Sequence, residues 1–153
     1  MKKLNLSNTQ IAIILSIITL AMLLVTAPDI GLTWDEPAYI AASESYNGWL
    51  GELLRDPAHA FSQEVIDHYW EINHEHPPVN KIWSGIIFEL TEDFMDHLTA
   101  HRMGNMLLVS ALIGMLYFWI AESYGQKAGI FSAAFLLFMP RFFFHAHLAA
   151  LDM

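Results

Sequence analysis

No cysteine occurs among the 153 residues. The chain therefore has no disulfide framework and no thiolate for catalysis or metal binding. Basic residues are scarce: seven Lys and Arg stand against 16 Asp and Glu, a formal net charge of −9. That balance excludes nucleic acid as a partner, because nothing neutralises phosphates in bulk. Internal repeats and low-complexity tracts are missing too, which excludes repeat architectures. Hydrophobicity is what the chain has in excess: 55% of residues are hydrophobic and the mean hydropathy is +0.37. A soluble domain of this length would show amphipathic periodicity rather than long uncharged runs.

Three such runs are present. Ile11 to Ala27 is 17 positions without a charge, with only Ser16, Thr19 and Thr26 polar. With its flanks it reaches the roughly 20 residues that span about 30 Å of hydrocarbon. It is longer than a usual signal-peptide core and ends in Ala27-Pro28-Asp29, without a small-x-small cleavage site. An uncleaved first helix over about 10–28 is expected. Met103 to Ala121 is a second uncharged run, of 19 residues. Its small residues (Gly104, Ser110, Ala111, Gly114) suit close helix packing in lipid. Glu122 to Lys127 is a short polar turn containing Gly125. A third helix is expected over about 128–147, interrupted by Pro140-Arg141. From Ala128 to Pro140 an α-helix covers only about 20 Å. Pro140 should kink or end it about two-thirds of the way across.

These runs predict an all-α membrane protein with about three transmembrane helices. A long helical loop over about 29–101 joins the first two. Lys2, Lys3 and Lys127 place the N-terminus and the second turn in the cytoplasm and the long loop outside. A bacterial inner (plasma) membrane is the expected location. On this topology Asp35 and Asp152 share one face of the bilayer. Between Asp29 and Arg102 lie 14 of the 16 acidic residues, three of the seven basic ones and six of the eight histidines. Inside the loop, Pro37 to Leu54 and Phe61 to Ile72 have helical character, divided by Asp56-Pro57. Val79 to Leu90 reads as an amphipathic helix on the membrane surface. Trp34, Trp49, Trp70 and Trp83 read as interfacial anchors.

Three constellations could carry chemistry. Thr33-Trp34-Asp35-Glu36-Pro37 pairs two carboxylates just beyond the first helix. Such a pair can act as a base or hold a divalent cation. It can equally be a helix start, with acids favouring the dipole ahead of Pro37. In His74-Glu75-His76-Pro77-Pro78 an extended backbone would point His74 and His76 the same way. That arrangement suits zinc or manganese, though a Pro-Pro turn with exposed histidines is the plainer reading. In Pro140-Arg141 through His145 and His147 to Asp152, Arg141 can meet lipid phosphate or snorkel to the interface.

The order of these motifs resembles the start of a GT-C glycosyltransferase. It runs from a first helix through Trp34-Asp35-Glu36-Pro37, a loop and Glu75-His76-Pro77-Pro78. An Arg102-led second helix, a Tyr124-Gly125 turn, Pro140-Arg141 and a terminal Asp152 follow. The likeness is to the protein O-mannosyltransferases and aminoarabinose transferases (glycosyltransferase family 39-like), over essentially all 153 residues. It implies the N-terminal portion of a longer inverting enzyme. Such an enzyme moves a sugar from a polyprenyl-phosphate carrier to an acceptor on the outer membrane face. Asp35 matches the catalytic base or metal contact, Glu36 accompanies it, and Asp152 resembles the acid of the second external loop. Arg102 and Arg141 are candidates for carrier phosphate. Glu75, with His74 and His76, is a candidate divalent-metal set. The implied partners are a polyprenyl-phosphate-linked sugar, an acceptor of unidentified kind and the lipid bilayer. The reading from another class is a small non-enzymatic membrane protein whose external loop binds metal or assembles with another subunit.

Overall fold

A computed structural model describes residues 6–150, and among these every regular element is a helix. The order is α1 (Asn8–Thr26), a short 3-10 turn (Ala27–Asp29), α2 (Glu36–Arg55), α3 (Pro57–Ala60), α4 (Gln63–Trp70), α5 (Val79–Thr91), α6 (His97–Tyr124), α7 (Gln126–Leu137) and α8 (Pro140–His145). Lys2, Lys3 and Asp152 lie outside the described residues. The chain divides into two compact units. One is the segment through Asp29 with Met106–His147; the other is Ile30–Asn105 with the stretch from Leu148.

In the first unit Ser7 and Gln10 form a reciprocal capping box that starts α1. Leu23, Met106, Val109, Ile113, Tyr117, Ala133 and Leu137 form its core. At Gly114, α6 meets α1 so closely that a Cβ would clash with Ser16 and sit 2.8 Å from the Ala12 carbonyl oxygen. Backbones approach this way where small residues line a helix interface. Ile13, Ile17 and Val25 of α1, Met115 and Trp119 of α6, and Phe131 and Phe135 of α7 face outward. A run of large apolar side chains on helix exteriors is costly in water and favourable in lipid. Two helical segments, Asn8–Asp29 and His97–Tyr124, are long and apolar enough to cross a membrane. The third run is shorter than expected: α7 has 12 residues and ends at Leu137, and Pro140 opens α8 at its first turn. Proline cannot continue a helix but suits a first turn, so the chain breaks there.

The second unit shows that the long loop is helical nearly throughout. Asp56 caps α3, accepting from the Ala58 and His59 amides at 3.1 Å, and Pro57 follows it. Tyr46, Trp49, Phe61 and Trp70 form an aromatic cluster, Tyr46 stacked on Trp70 at 4.5 Å. Trp83 donates to the Gly104 carbonyl at 2.8 Å. Of the four tryptophans expected as anchors, only Trp34 stands fully out, 96% exposed. Helix α5 buries Lys81, Ser84, Gly85 and Ile87. A Cβ on Gly85 would lie 2.6 Å from the Ser43 carbonyl oxygen of α2. Its polar and small side therefore packs on protein, which differs from the expected surface-lying helix. Helix α6 begins at His97 rather than near 103, started by Asp96, whose carboxylate accepts from the Thr99 amide at 3.0 Å. His97 and His101, expected in the loop, are thus on the same helix as Arg102.

Candidate functional site

The expected pair of carboxylates at the head of α2 is divided by the fold. Glu36 is fully buried. Its Oε1 accepts from Arg102 Nε at 2.7 Å and from the Ala149 amide at 3.0 Å. Its Oε2 accepts from Arg102 Nη2 at 2.7 Å, the Thr33 amide at 2.9 Å and the Thr33 hydroxyl at 3.1 Å. The guanidinium, also fully buried, donates further to the carbonyls of Ile30 at 2.7 Å and Gly31 at 2.8 Å. A bidentate pair with its remaining valences hydrogen-bonded is the arrangement that makes a buried ion pair tolerable. Burial alone would raise the Glu36 pKa, but the Arg102, Thr33 and Ala149 hydrogen bonds outweigh it and hold the carboxyl below its usual value. Glu36 and Arg102 are spent on each other and on the backbone. Both residues, expected beside the base and at the carrier phosphate, are thus engaged within the protein.

Asp35 is the opposite case. It occupies the N-cap position of α2, yet its side chain makes no capping bond. It is exposed, and no hydrogen bond or ion pair to its carboxylate occurs among the described residues. Its carboxylate is therefore presented to solvent by a helix start that Glu36 has already fixed. Beside it Leu32, Thr33, Trp34 and Pro37 line a shallow hollow of about 400 Å³. The Ala149–Glu36 bond also ties the chain near its described end to the start of α2, across 113 positions. Leu148 and Ala150 pack with Tyr39 in the same small core.

Residues 72–75 form a turn, not the extended segment expected around His74-Glu75-His76. Asn73 has φ 54°, a left-handed conformation that asparagine tolerates better than most residues. His76 donates its amide to the Asn73 carbonyl at 3.3 Å. Lys81, fully buried, collects the Asn73 and His76 carbonyls with its ammonium, which also lies over the Tyr39 and Tyr46 rings. Burial pushes the Lys81 pKa down, and Glu75 opposes that only in part. His74 turns to the Glu71 carbonyl at 2.9 Å, 4.0 Å from Glu75, and His76 leans on Tyr39 at 5.8 Å. Ligand atoms of His74, Glu75 and His76 do not all lie within 4.8 Å of one another.

A different group has metal-ligand spacing among the described residues. Ligand atoms of Glu44, His97 and His101 all lie within 4.8 Å of one another. Neither Lys81 nor this group stood out in the sequence reading. His97 and His101 are one helical turn apart, a spacing that puts both on one face, but only the fold brings Glu44 to them. Arg141 is exposed on α8, in the other unit.

No protein-family model matches the chain, and neither a curated protein nor a solved structure matches it.

Proposed function

We propose that the chain is the leading part of a GT-C membrane glycosyltransferase, with Asp35 as its base. The observation that carries this reading is the division of labour at the head of α2. Glu36 is locked by Arg102, Thr33 and Ala149, and the neighbouring Asp35 carboxylate is left exposed and uncommitted. In the reaction the acceptor hydroxyl gives its proton to Asp35. Its oxygen forms a bond to the anomeric carbon from the face opposite the carrier, and the bond from that carbon to the phosphate oxygen breaks. Polyprenyl phosphate leaves with the electron pair, and the anomeric centre inverts. The exposed Trp34 ring beside Asp35 offers an apolar face for the sugar. Of the two arginines proposed for the leaving phosphate, Arg102 is bonded to Glu36 and Arg141 is exposed.

The topology proposed with it has three crossings, α7 and α8 together making the third. Helices α2 to α5 then lie on the extracytoplasmic side. The tie between Ala149 and Glu36 supports a shared face for Asp35 and Asp152, since the chain three positions before Asp152 is bonded one position after Asp35.

The test is sugar transfer from a polyprenyl-phosphate donor by membranes carrying the full-length gene product, since the leading part alone should not transfer sugar. Asp35→Asn should lower the rate by about a hundredfold or more, the scale of a lost general base. Wild-type transfer by that variant would remove the mechanism. The non-enzymatic reading is favoured by one observation, the Glu44–His97–His101 cluster. It predicts no transfer by the wild-type product under any donor.

A further inference from the structure

Glu44, His97 and His101 are not used by the sugar-transfer reading, and they bring two imidazole nitrogens and a carboxylate oxygen to metal-ligand spacing. Ser43 donates its single hydroxyl hydrogen to the Ile40 carbonyl at 2.8 Å. His101 Nδ1 lies 3.3 Å from the same hydroxyl oxygen. With a hydrogen on Nδ1 directed at that oxygen, the neutral ring keeps its lone pair on Nε2, the tautomer that binds a metal. Nε2 points at Glu44 Oε1, 3.1 Å away. In the metal-free chain a proton on Nε2 bridges the two atoms, and a cation replacing it takes both as ligands. His97 Nε2 approaches the same oxygen at 3.3 Å.

We propose that Glu44, His97 and His101 form a binding site for a divalent transition-metal ion of the zinc class, with ligands Glu44 Oε1, His97 Nε2 and His101 Nε2. Ligand atoms bound to zinc at about 2.0–2.1 Å lie about 3.3 Å apart at the tetrahedral angle. The two separations from Glu44 match that edge. Two imidazoles and one carboxylate are a recognised zinc set, and three protein ligands leave the fourth position to water or a substrate atom. The Ser43 hydroxyl is the outer partner that fixes the ring's tautomer and orientation. Phe88 stacks on His101 at 3.9 Å, its plane 7° from the imidazole, and meets His97 edge-on at 5.2 Å. That ring excludes water from one side of the site. The other side is open: the His97 and Glu44 side chains are 65% and 46% exposed, so an ion can enter. Along α2, Glu44 lies about 13 Å from Asp35. The metal site is therefore separate from the proposed base, and it stands whether or not sugar transfer does.

The test uses the whole chain in detergent micelles, stripped with chelator and titrated with cobalt(II), then with zinc. One cobalt per chain should bind at micromolar concentration and develop the visible absorption of a tetrahedral site, which zinc should abolish. His97→Ala and Glu44→Gln, both at exposed positions, should each weaken binding about tenfold or more. The double variant His74→Ala/His76→Ala should bind as the wild type does. On the unmodified chain, the imidazole nitrogen resonances of His97 and His101 should shift together as zinc is added. Absence of binding at micromolar metal would overturn the site. So would undiminished binding by both Glu44→Gln and His97→Ala, or zinc shifts confined to His74 and His76.

Discussion

Two acidic residues on α2 meet basic residues of α6, and the two encounters have opposite character. Glu36 and Arg102 are both fully buried, and each oxygen of the carboxylate is satisfied. Two turns further along α2, Glu44 is half exposed and meets one buried and one exposed imidazole. The first encounter is closed and can only hold structure. The second is open, with two imidazole nitrogens converging on one half-exposed carboxylate. Saturation, rather than residue type, decides which charged cluster is available for chemistry.

The sharpest way to break this contrast is to remove one member from each cluster. Arg102→Met leaves the Glu36 carboxylate buried without its cation, which should cost about 3–5 kcal/mol. Glu44→Gln removes a charge that solvent already screens, and should cost less than about 1 kcal/mol. Denaturant unfolding in micelles measures both. Equal losses would erase the distinction. An effect between these two is expected at Lys81. Lys81→Met leaves the Asn73 and His76 carbonyls without their donor, at about 1–3 kcal/mol. An unchanged midpoint would show that the 72–75 turn does not need the ammonium.

Acid should act on the closed cluster in a defined direction. The folded state holds the Glu36 carboxyl below its usual value. Its contribution is therefore complete above the unfolded pKa of about 4.3 and is lost as pH falls through the folded value. Asp96 follows the same direction because the Thr99 hydroxyl and amide stabilise its carboxylate. Stability should fall with acid below the ordinary carboxylate range, and Glu36→Gln should flatten that fall. A Glu36→Gln profile as steep as the wild type would assign the acid sensitivity elsewhere.

What was legible in the sequence was whatever a single segment decides alone. The uncharged runs announce α1 and α6 because crossing hydrocarbon forbids charge over that length. Asp56-Pro57 and Pro140 mark real helix boundaries because cap and ring geometry act locally. What was not legible depends on partners far along the chain. His101 reads as loop polarity, and Arg102 as a helix head available to phosphate, until Glu44 and Glu36, 57 and 66 positions away, take them into the protein. For that reason α6 starts six residues earlier than its uncharged run. The same distance effect hides the difference between Asp35 and Glu36. Adjacent carboxylates read alike in sequence, but Ala149, 113 positions on, bonds only to the second.

The most direct measurement of the central claim is carboxyl footprinting of the intact, metal-free chain, with a carbodiimide and a neutral amine. Asp35 and Glu44 should be modified readily, while Glu36, beside Asp35, should stay protected until the chain unfolds. Modification of Glu36 at a rate comparable to Asp35 would contradict the account.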